Sequence, residues 1–417
     1  MTLGKRFYDK YSPYVLIILC AMAVYSLIYA FSGSFSPTAP NHYNSFSRQA
    51  VAWLSGRLSL PENVSWLELA IFEGNYYVSF TPFPSIVMLP FTLIFGIETP
   101  DHMIALGAAL ISLVYAYKLG FKLLGSKQYA VLFSLFLILG TNYLHVALWG
   151  AVWYIAQNLA FLLTLISFYY AVTDNKNHSY ISLFALCAAM GCRPFNILYL
   201  PIILFLIYRR EAKTFLGYVK KIFVYAIPAI VLGVFYMWLN YARFGNVFDF
   251  GHNYLPEFVN DPNGQFYIGR VPDNLKRIFT NLEFVGFPLF RGFALWLASP
   301  IVVSYFAYLL IYIYRSARKI PMISEENDHT RLIVFTLFFL TMIHIFAFSF
   351  HRTLGEHQFG SRYTVDILPA FYFSLLLLLR KIPLHNSIYL NIVPMIFGLL
   401  LNFHGTVQYL AYYFPIR

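Results

Sequence analysis

Charged residues are scarce in this sequence. Lysine, arginine, aspartate and glutamate make up 11% of the 417 residues, while 59% are hydrophobic. Soluble domains carry about 25% charged residues, so this composition argues against a soluble fold. Apolar runs of about twenty residues recur instead, for example at 14–31 and 332–350, and each is long enough to cross a bilayer core. The sequence therefore predicts an all-α polytopic membrane protein in which residues 1–417 form a single transmembrane domain.

Cysteine is also rare. The chain has three, Cys20, Cys187 and Cys192, and all lie in apolar segments. This placement is typical of packed thiols and argues against a disulfide framework or a zinc site. The formal net charge is +11. Because no loop carries a long basic run interleaved with aromatic residues, we expect no nucleic-acid partner.

Basic residues set the expected topology, because lysine and arginine collect in cytoplasmic loops. Lys5, Arg6 and Lys10 precede the first apolar run, which predicts a cytoplasmic N-terminus. Because no small-residue cleavage motif follows this run, we expect a retained first helix instead of a signal peptide. The apolar stretch 83–95 is short for a span, about 13 residues, and contains prolines. If it crossed the membrane, every later basic loop would lie outside, so we interpret it as re-entrant or interfacial.

About eleven transmembrane helices result from this interpretation. The predicted spans are 14–31, 103–121, 128–146, 151–173, 178–192, 195–208, 221–240, 293–315, 331–350, 363–380 and 387–404.

Two long segments, 33–100 and 241–292, are then expected outside the cytoplasm. Polar and aromatic residues between prolines predict juxtamembrane interfacial helices in the first of these loops, including one at 47–56. The two short spans on either side of Cys192-Arg193-Pro194 place Arg193 below the membrane surface. An arginine at that depth usually has an anionic partner.

Several short strings follow one another in a fixed order. They are Gly74-Asn75-Tyr76-Tyr77, Pro82-Phe83-Pro84, Trp149-Gly150-Ala151-Val152-Trp153 with Gln157, Asn240-Tyr241-Ala242-Arg243-Phe244-Gly245 with Asp249, Ser299-Pro300, and Gly360-Ser361-Arg362-Tyr363 with Asp366 and Pro369. In this order, after a long first loop, they resemble the GT-C superfamily of polytopic glycosyltransferases over most of the chain, and especially its bacterial members. The resemblance implies a GT-C-like bundle in a bacterial cytoplasmic membrane, a polyprenyl-phosphate-linked sugar donor, and action on the extracytoplasmic face.

The resemblance also implies a catalytic acid in the first outer loop, close to the end of the first helix. This chain departs from the pattern, because Asn41-His42 stand there and the first carboxylates of the loop come later. We predict that Glu68 is the catalytic base, since apolar Leu69-Ala70 beside it would dock it against a cavity and raise its pKa. A base at His42 and a merely solvated carboxylate at Glu68 stay open as alternatives.

Loss of a lipid phosphate requires cations, because negative charge builds on the departing group. Arg193, Arg362 and Arg291 lie near the outer ends of predicted spans and are the predicted phosphate ligands. Each also has a structural alternative. Arg193 could pair with a buried carboxylate, Arg362 could pair with Asp366, and Arg291 could anchor lipid headgroups.

Seven further side chains in these motifs are predicted to contact sugar or acceptor. They are Tyr76, Tyr77, Trp149, Trp153, Gln157, Asp249 and Asp366. The aromatic ones could equally be belt residues at the membrane interface. His351, Glu356 and His357 lack zinc-ligand spacing, so the sequence supports no divalent metal, and the lipid-linked sugar is the expected non-protein group.

The sequence thus predicts transfer of a sugar from a polyprenyl-phosphate carrier to a hydroxyl acceptor, a saccharide or lipid of the cell envelope. A transporter or flippase for lipid-linked saccharides is the first alternative. It is disfavoured because the polar features cluster on one side and no internal repeat is evident. A non-catalytic subunit that binds the lipid carrier is the second alternative, which the missing early acid allows.

Overall fold

A computed structural model describes residues 3–33, 36–175, 177–211, 214–282, 292–323, 328–355, 358–382 and 387–413. Its first helices and strands are α1 (Leu3–Ser32), α2 (Ser45–Leu54), β1 (Leu69–Phe72), β2 (Asn75–Val78), α3 (Phe83–Phe95), α4 (Asp101–Leu124), α5 (Lys127–Leu139), α6 (Tyr143–Ala147), α7 (Val152–Val172) and α8 (His178–Met190). The later helices are α9 (Leu200–Glu211), α10 (Phe215–Phe244), α11 (Pro256–Val259), α12 (Val271–Thr280), α13 (Leu295–Ala298), α14 (Ile301–Ala317), α15 (Thr330–Ser349), α16 (Leu368–Lys381) and α17 (Ser387–Tyr413).

Seven helices of the described chain are long and apolar enough to cross a membrane. They are Asp9–Ser32, Asp101–Leu124, Val152–Val172, Leu216–Phe244, Thr330–Ser349, Arg362–Lys381 and Leu390–Tyr413. Shorter apolar helices are Phe83–Glu98, Lys127–Leu139, His178–Met190 and Ile301–Ala317. The predicted polytopic helical architecture is confirmed, while the number of crossings and the interfacial position of α3 stay predictions.

The bundle is built around α7 and α16. Helix α7 packs against α4, α8, α9 and α16, and α16 packs against α14 and α15 as well. Almost every side chain of α16 is buried, because neighbouring helices cover it on all sides. The N-terminal ends of these two central helices therefore have fixed positions, and both ends contribute to the site described below.

The predicted span 128–146 is wrong in one respect, because it consists of two helices, α5 and α6. Between them, Asn142 Nδ2 donates to the carbonyl oxygen of Phe359 over 3.0 Å, and its Oδ1 accepts from the backbone N–H of Ser361 over 2.7 Å. A side chain at Gly140 would lie 3.2 Å from a carbonyl oxygen of α17. The two hydrogen bonds of Asn142 replace helical hydrogen bonds that are lost at the break, and the close approach of α17 leaves little room for a side chain at Gly140.

Two predicted spans, 195–208 and 363–380, begin with 3₁₀ turns at Pro194–Tyr199 and Arg362–Ile367. Each turn continues into a regular helix, α9 or α16. Pro194 begins the first turn and Pro369 lies in the first turn of α16, positions at which proline costs no helical hydrogen bond. Arg193 directly precedes the first 3₁₀ turn, and Arg362 is the first residue of the second.

The first loop contains a helix where one was expected near 47–56, which is α2, while its position at a membrane interface stays a prediction. It also contains an antiparallel hairpin of β1 and β2 that the sequence analysis did not predict. Glu73 and Gly74 form its two-residue turn with φ angles of 48° and 76°, the left-handed conformation that such turns require. The hairpin fixes the residue directly before β1, which is Glu68.

The loops converge at one end of the bundle, which we call the loop end. A cavity there has a lining that includes residues of the segments 36–81, 246–266 and 351–363. Basic side chains gather at the opposite end, where Lys122 pairs with Asp174 over 2.6 Å and Arg210 donates to the backbone of α7. This separation of charge agrees with the expected topology, and the orientation in the membrane stays a prediction.

Candidate functional site

The cavity at the loop end has a volume of about 1280 Å³. Its wall combines the first loop, the start of α7, the Cys192–Arg193 turn, the segment 246–266, the turn before α16 and the end of α17. No single element supplies the whole wall, so the shape of the cavity depends on the tertiary fold. It is large enough for a sugar together with part of a lipid carrier.

Glu68 lies in the cavity wall. The indole Nε1 of Trp153, near the start of α7, donates to its Oε2 over 2.8 Å. Burial raises the pKa of Glu68 to about 7, an effect that the Trp153 hydrogen bond and nearby Arg362 oppose and that Glu257 reinforces. A carboxylate with such a pKa can take up a proton near neutral pH.

Arg362 lies in the same wall and is only 6% exposed. Its guanidinium carbon lies 5.2 Å from the ring centre of Tyr154 and 5.3 Å from that of Tyr363. Its Nη1 is 3.4 Å from the carbonyl oxygen of Trp153. Among the described residues its Nε has no hydrogen-bond partner and no carboxylate pairs with it. Among the described residues, Arg362 is thus a cation without a direct carboxylate partner, and Glu68 interacts with it at longer range.

Arg193 also lines the cavity, but its charge is compensated. Its Nε donates to Asp366 Oδ2 over 2.8 Å, and its guanidinium stacks on Tyr363 at 4.9 Å. Gln157 donates to the other oxygen of Asp366 over 3.3 Å. Of the structural alternatives, the pairing of Arg193 with a buried carboxylate is therefore observed, whereas Asp366 does not pair with Arg362.

Three other predicted residues, His42, Trp149 and Asp249, reach the cavity. His42 is exposed, and its ring stacks on Trp66 at 4.7 Å. Asp249 accepts a hydrogen bond from the backbone N–H of Gly251 over 2.7 Å, which stabilises a turn. His42 therefore lies exposed at the rim of the cavity, whereas Glu68 is largely covered within the wall.

Two predicted contacts lie on β2, and neither lines the cavity. Tyr76 forms a bridge with Leu60, and the Tyr77 ring packs on Phe244 at 5.2 Å. Both residues therefore hold the hairpin against its surroundings.

Gln157 and Asp366 do not line the cavity either. They lie behind it, where Gln157 Nε2 also donates to the carbonyl oxygen of Arg362 over 3.1 Å. The bond from Arg193 to Asp366 and the bond from Gln157 to the backbone of Arg362 hold these two arginines in position beside the cavity. Arg291, like Glu356 and His357, lies outside the described residues.

No group of three histidine, cysteine, aspartate or glutamate side chains that could hold a metal ion occurs in the part of the chain that the structure describes. His351 lies in the cavity wall against the rings of Phe258, Phe266 and Tyr363. Burial, with the nearby His252 and arginines, lowers the pKa of His351 to about 3. This imidazole is therefore neutral at physiological pH and adds no charge to the cavity.

Sequence reasoning missed a polar network behind the end of α1. Asn41 Nδ2 lies 3.0 Å from His102 Nε2, and Ser47 Oγ donates to Asp101 Oδ1 over 2.5 Å. Asn41 occupies the region in which the resemblance implies an acid, and it is 5% exposed. The only sequence signal was Asp101-His102 at the start of an apolar run, which indicates a helix start more than a site.

Sequence reasoning also missed Tyr43, Tyr409 and Tyr413, which line the cavity. Tyr409 and Tyr413 lie one turn apart on α17, with ring centres 4.5 Å from each other. Their spacing places them on one helical face, but only the tertiary fold shows that this face meets the first loop.

The fold of this chain resembles the folds of solved structures. ArnT from Cupriavidus metallidurans in the apo state matches with a TM-score of 0.53 and 12% identity, over 91% of this chain and 61% of that one. ArnT of the same organism bound to undecaprenyl phosphate matches with a TM-score of 0.50 and 13% identity, over 91% of this chain and 62% of that one. The apo oligosaccharyltransferase from Archaeoglobus fulgidus matches with a TM-score of 0.50 and 11% identity, over 97% of this chain and 56% of that one.

No protein-family model and no curated protein matches the chain. The chain spans about three fifths of the length of the proteins it resembles. It has a GT-C-like fold, as the sequence resemblance implied.

Proposed function

We propose that this chain is a glycosyltransferase that moves a sugar from a polyprenyl-phosphate carrier to a hydroxyl acceptor, on the extracytoplasmic face of a bacterial cytoplasmic membrane. One observation carries the proposal: a carboxylate with a pKa near 7 and an arginine with no direct carboxylate partner among the described residues line the same cavity, both in contact with Trp153. The fold adds support, since ArnT has been solved bound to undecaprenyl phosphate.

Glu68 is the base in this proposal. As the acceptor oxygen attacks the anomeric carbon, its proton passes to the Glu68 carboxylate. The new carbon–oxygen bond forms while the bond from the anomeric carbon to the phosphate oxygen breaks, and polyprenyl phosphate leaves. A pKa near the working pH suits this role, because much of the carboxylate is ionised and still basic enough to accept the proton.

Arg362 holds the departing phosphate. Its guanidinium lines the cavity and has no carboxylate partner among the described residues, so a phosphate oxygen there would accept hydrogen bonds from it. The donor phosphodiester carries one negative charge, and this cation stabilises the second charge that builds on the phosphate as it leaves. Arg193, already paired with Asp366, orients Tyr363 beside the phosphate and offers its remaining N–H groups.

The test supplies vesicles containing the purified protein alone with a radiolabelled polyprenyl-phosphate sugar and candidate acceptors. Glu68→Gln is expected to lower transfer by about 10²-fold or more, as removal of a general base does. Arg362→Ala is expected to weaken donor binding as well as transfer. Glu62→Gln, an exposed carboxylate of the same loop that does not line the cavity, is the matched control.

Full activity in either cavity variant would contradict these roles. Movement of labelled lipid between leaflets without product would identify a transporter instead. Product that appears only after a second protein is added would identify a carrier-binding subunit.

A further inference from the structure

Apart from Tyr363, which stacks on Arg193, the phenylalanine, tyrosine and tryptophan side chains of the cavity wall fall into two groups by type. One group, the phenylalanine wall, consists of Phe80, Phe195, Phe248, Phe250, Phe258 and Phe266. The other, the tyrosine–tryptophan wall, consists of Tyr43, Trp149, Trp153, Tyr154, Tyr409 and Tyr413. Tyr43 and Phe80 both come from the segment 36–81, whereas the other members of the two groups come from different parts of the chain. The ring contacts described next join members within each group, so we treat the groups as two chemically different sides of the cavity.

Members of the tyrosine–tryptophan wall contact one another. Tyr43 lies 5.0 Å from Trp153 between ring centres, and Trp149 lies 5.5 Å from Tyr154 with the rings nearly parallel. Tyr409 lies 5.5 Å from Trp149, edge to face. These contacts make a continuous surface from the first loop, across the start of α7, to the end of α17.

The phenylalanine wall is organised around histidines. The ring centres of Phe80 and Phe258 lie 5.2 Å and 5.9 Å from that of His252. Burial lowers the pKa of His252, so this imidazole adds no positive charge beside the phenylalanine rings. Phenylalanine has no hydrogen-bonding group, and such a surface suits the isoprenoid of a lipid carrier.

Charged side chains are distributed unequally between the two walls. Of the charged residues that line the cavity in the described chain, Arg193, Asp249 and Glu257 come from the turn and the loop that also supply phenylalanines. Glu68 and Arg362 stand at the junction, since Glu68 bonds Trp153 and Arg362 lies between Tyr154 and Tyr363. The rest of the tyrosine–tryptophan wall is neutral.

A neutral wall of this composition has a definite ligand chemistry. Tyrosine and tryptophan combine a flat apolar face with an O–H or N–H at the edge. A sugar ring matches both features, because its C–H face stacks on the ring while its hydroxyls bond the polar edge. Apart from Arg362 at the junction, which the proposed function assigns to the donor phosphate, a phosphorylated or carboxylated acceptor would find no cationic partner along this wall among the described residues.

We propose that the tyrosine–tryptophan wall is the acceptor subsite and that the acceptor is an uncharged saccharide. The inference rests on the proposed function, because it requires Glu68 to act as base toward a hydroxyl on this wall. Trp153 belongs to the wall and bonds Glu68, which places the carboxylate at the edge of the bound acceptor. The phenylalanine wall is then left for the first isoprene units of the donor.

The experiment places the full chain in fluorescent nanodiscs and applies it to an array of neutral and acidic glycans. Wild-type protein is expected to be retained on a subset of neutral glycans. Tyr413→Ala is expected to weaken that retention about tenfold, whereas Tyr413→Phe, which keeps the stacking face, weakens it less. Tyr412→Ala is the matched control, because Tyr412 is 37% exposed on the same helix and does not line the cavity.

Undecaprenyl phosphate binding, measured on the same nanodiscs, separates this inference from the proposed function. Tyr413→Ala is expected to leave that binding unchanged, and Arg362→Ala to reduce it. If undecaprenyl phosphate binds through Arg362 but only acidic glycans or none are retained, the acceptor inference is wrong and the proposed donor site stands. Equal losses in Tyr413→Ala and Tyr412→Ala would also overturn it. Absence of Arg362-dependent lipid binding would contradict the proposed function, whatever the array shows.

Discussion

At Glu68, burial and a single indole hydrogen bond act on the pKa in opposite directions. Burial favours the neutral acid, while the N–H of Trp153 favours the carboxylate. The apolar Leu69-Ala70 that follows in the sequence was enough to predict docking against a cavity. The hydrogen bond was not predictable in the same way, because Trp153 comes 85 residues later and meets Glu68 only in the tertiary structure.

Trp153→Phe should therefore shift the pH dependence of transfer. Without the indole N–H, the effect of burial is less opposed and the pKa of Glu68 rises. The limb of the pH–rate profile in which the rate increases with pH then moves to higher pH, by up to about one unit. Initial transfer rates measured between roughly pH 5.5 and 9 locate this limb. Trp66→Phe alters an exposed indole outside the cavity and should leave the limb in place. An unchanged or acid-shifted limb in Trp153→Phe would argue against the hydrogen bond.

Glu68→Gln should stabilise the protein at alkaline pH. Because the pKa of Glu68 is about 7 in the fold against 4.5 for an ordinary glutamate, the folded state binds the proton more strongly than the unfolded state. The free energy of unfolding therefore falls as pH rises from about 4.5 to 7 and stays lower above that window. A neutral glutamine avoids this loss. Thermal unfolding in nanodiscs should give the variant a higher Tm than the wild type near pH 8 and the same Tm near pH 4. A lower Tm for the variant near pH 8 would contradict this prediction.

Gly355→Ala should displace the predicted phosphate ligand. Gly355 has a φ of +80°, and a Cβ there would lie 2.7 Å from Nη2 of Arg362, so the guanidinium must move away from its place in the cavity. We expect weaker binding of undecaprenyl phosphate in a protein that still folds. Gly264→Ala imposes a similar strain at φ +62° with no atom within 4 Å, which makes it the matched control. Equal binding by the two variants would contradict the placement of Arg362.

Among the elements, the segment 241–292 and the loop that follows α15 are joined by ion pairs at the cavity rim. Arg352 pairs with Glu257 over 3.1 Å and with Asp261 over 3.0 Å, and Asp261 also pairs with Arg270 over 2.8 Å. Backbone bonds reinforce the contact, since Tyr267 N–H donates to the carbonyl oxygen of Phe350 over 3.0 Å. The segment that supplies most of the phenylalanine wall is thus held by the loop that follows α15.

Arg352→Gln should loosen this segment. Partly exposed pairs contribute at most about 1 kcal/mol, so amide exchange within 257–270 is expected to rise by up to about fivefold while the bundle is unaffected. Lys276→Gln removes an exposed charge from neighbouring α12 and serves as the control. High salt should reproduce the effect in the wild type. Unchanged exchange in Arg352→Gln would show that the backbone bonds alone hold the loop.

The helices were predictable where apolar runs were long, and the departures from regular helix were not. Runs such as 331–350 identify their helices because a bilayer demands about twenty apolar residues. The break at Asn142 was missed because its partners, Phe359 and Ser361, lie more than two hundred residues later. The hairpin was missed although Glu73-Gly74 is a plausible two-residue turn, because its strands are only four residues long.

In the molecule as a whole, the two ends of the bundle differ in charge and in shape. The loop end has the cavity and its compensated pairs, whereas Lys122 and Arg210 mark the other end. Lysine and arginine are retained on the cytoplasmic side during insertion. The charge separation therefore favours a cavity on the extracytoplasmic side, where a sugar carried by a flipped lipid is available and a nucleotide sugar is not.

This orientation can be tested with two single cysteines in a chain whose Cys20, Cys187 and Cys192 are replaced by alanine. Asn253→Cys lies at the cavity, and Asp174→Cys has a side chain that is 90% exposed at the opposite end. In intact cells, a membrane-impermeant maleimide should label the first cysteine, and the second only after permeabilisation. The reverse pattern would place Glu68 and Arg362 in the cytoplasm. The donor would then have to be on the inner leaflet, so the proposed reaction would lose its extracytoplasmic site even if the cavity bound the same lipid.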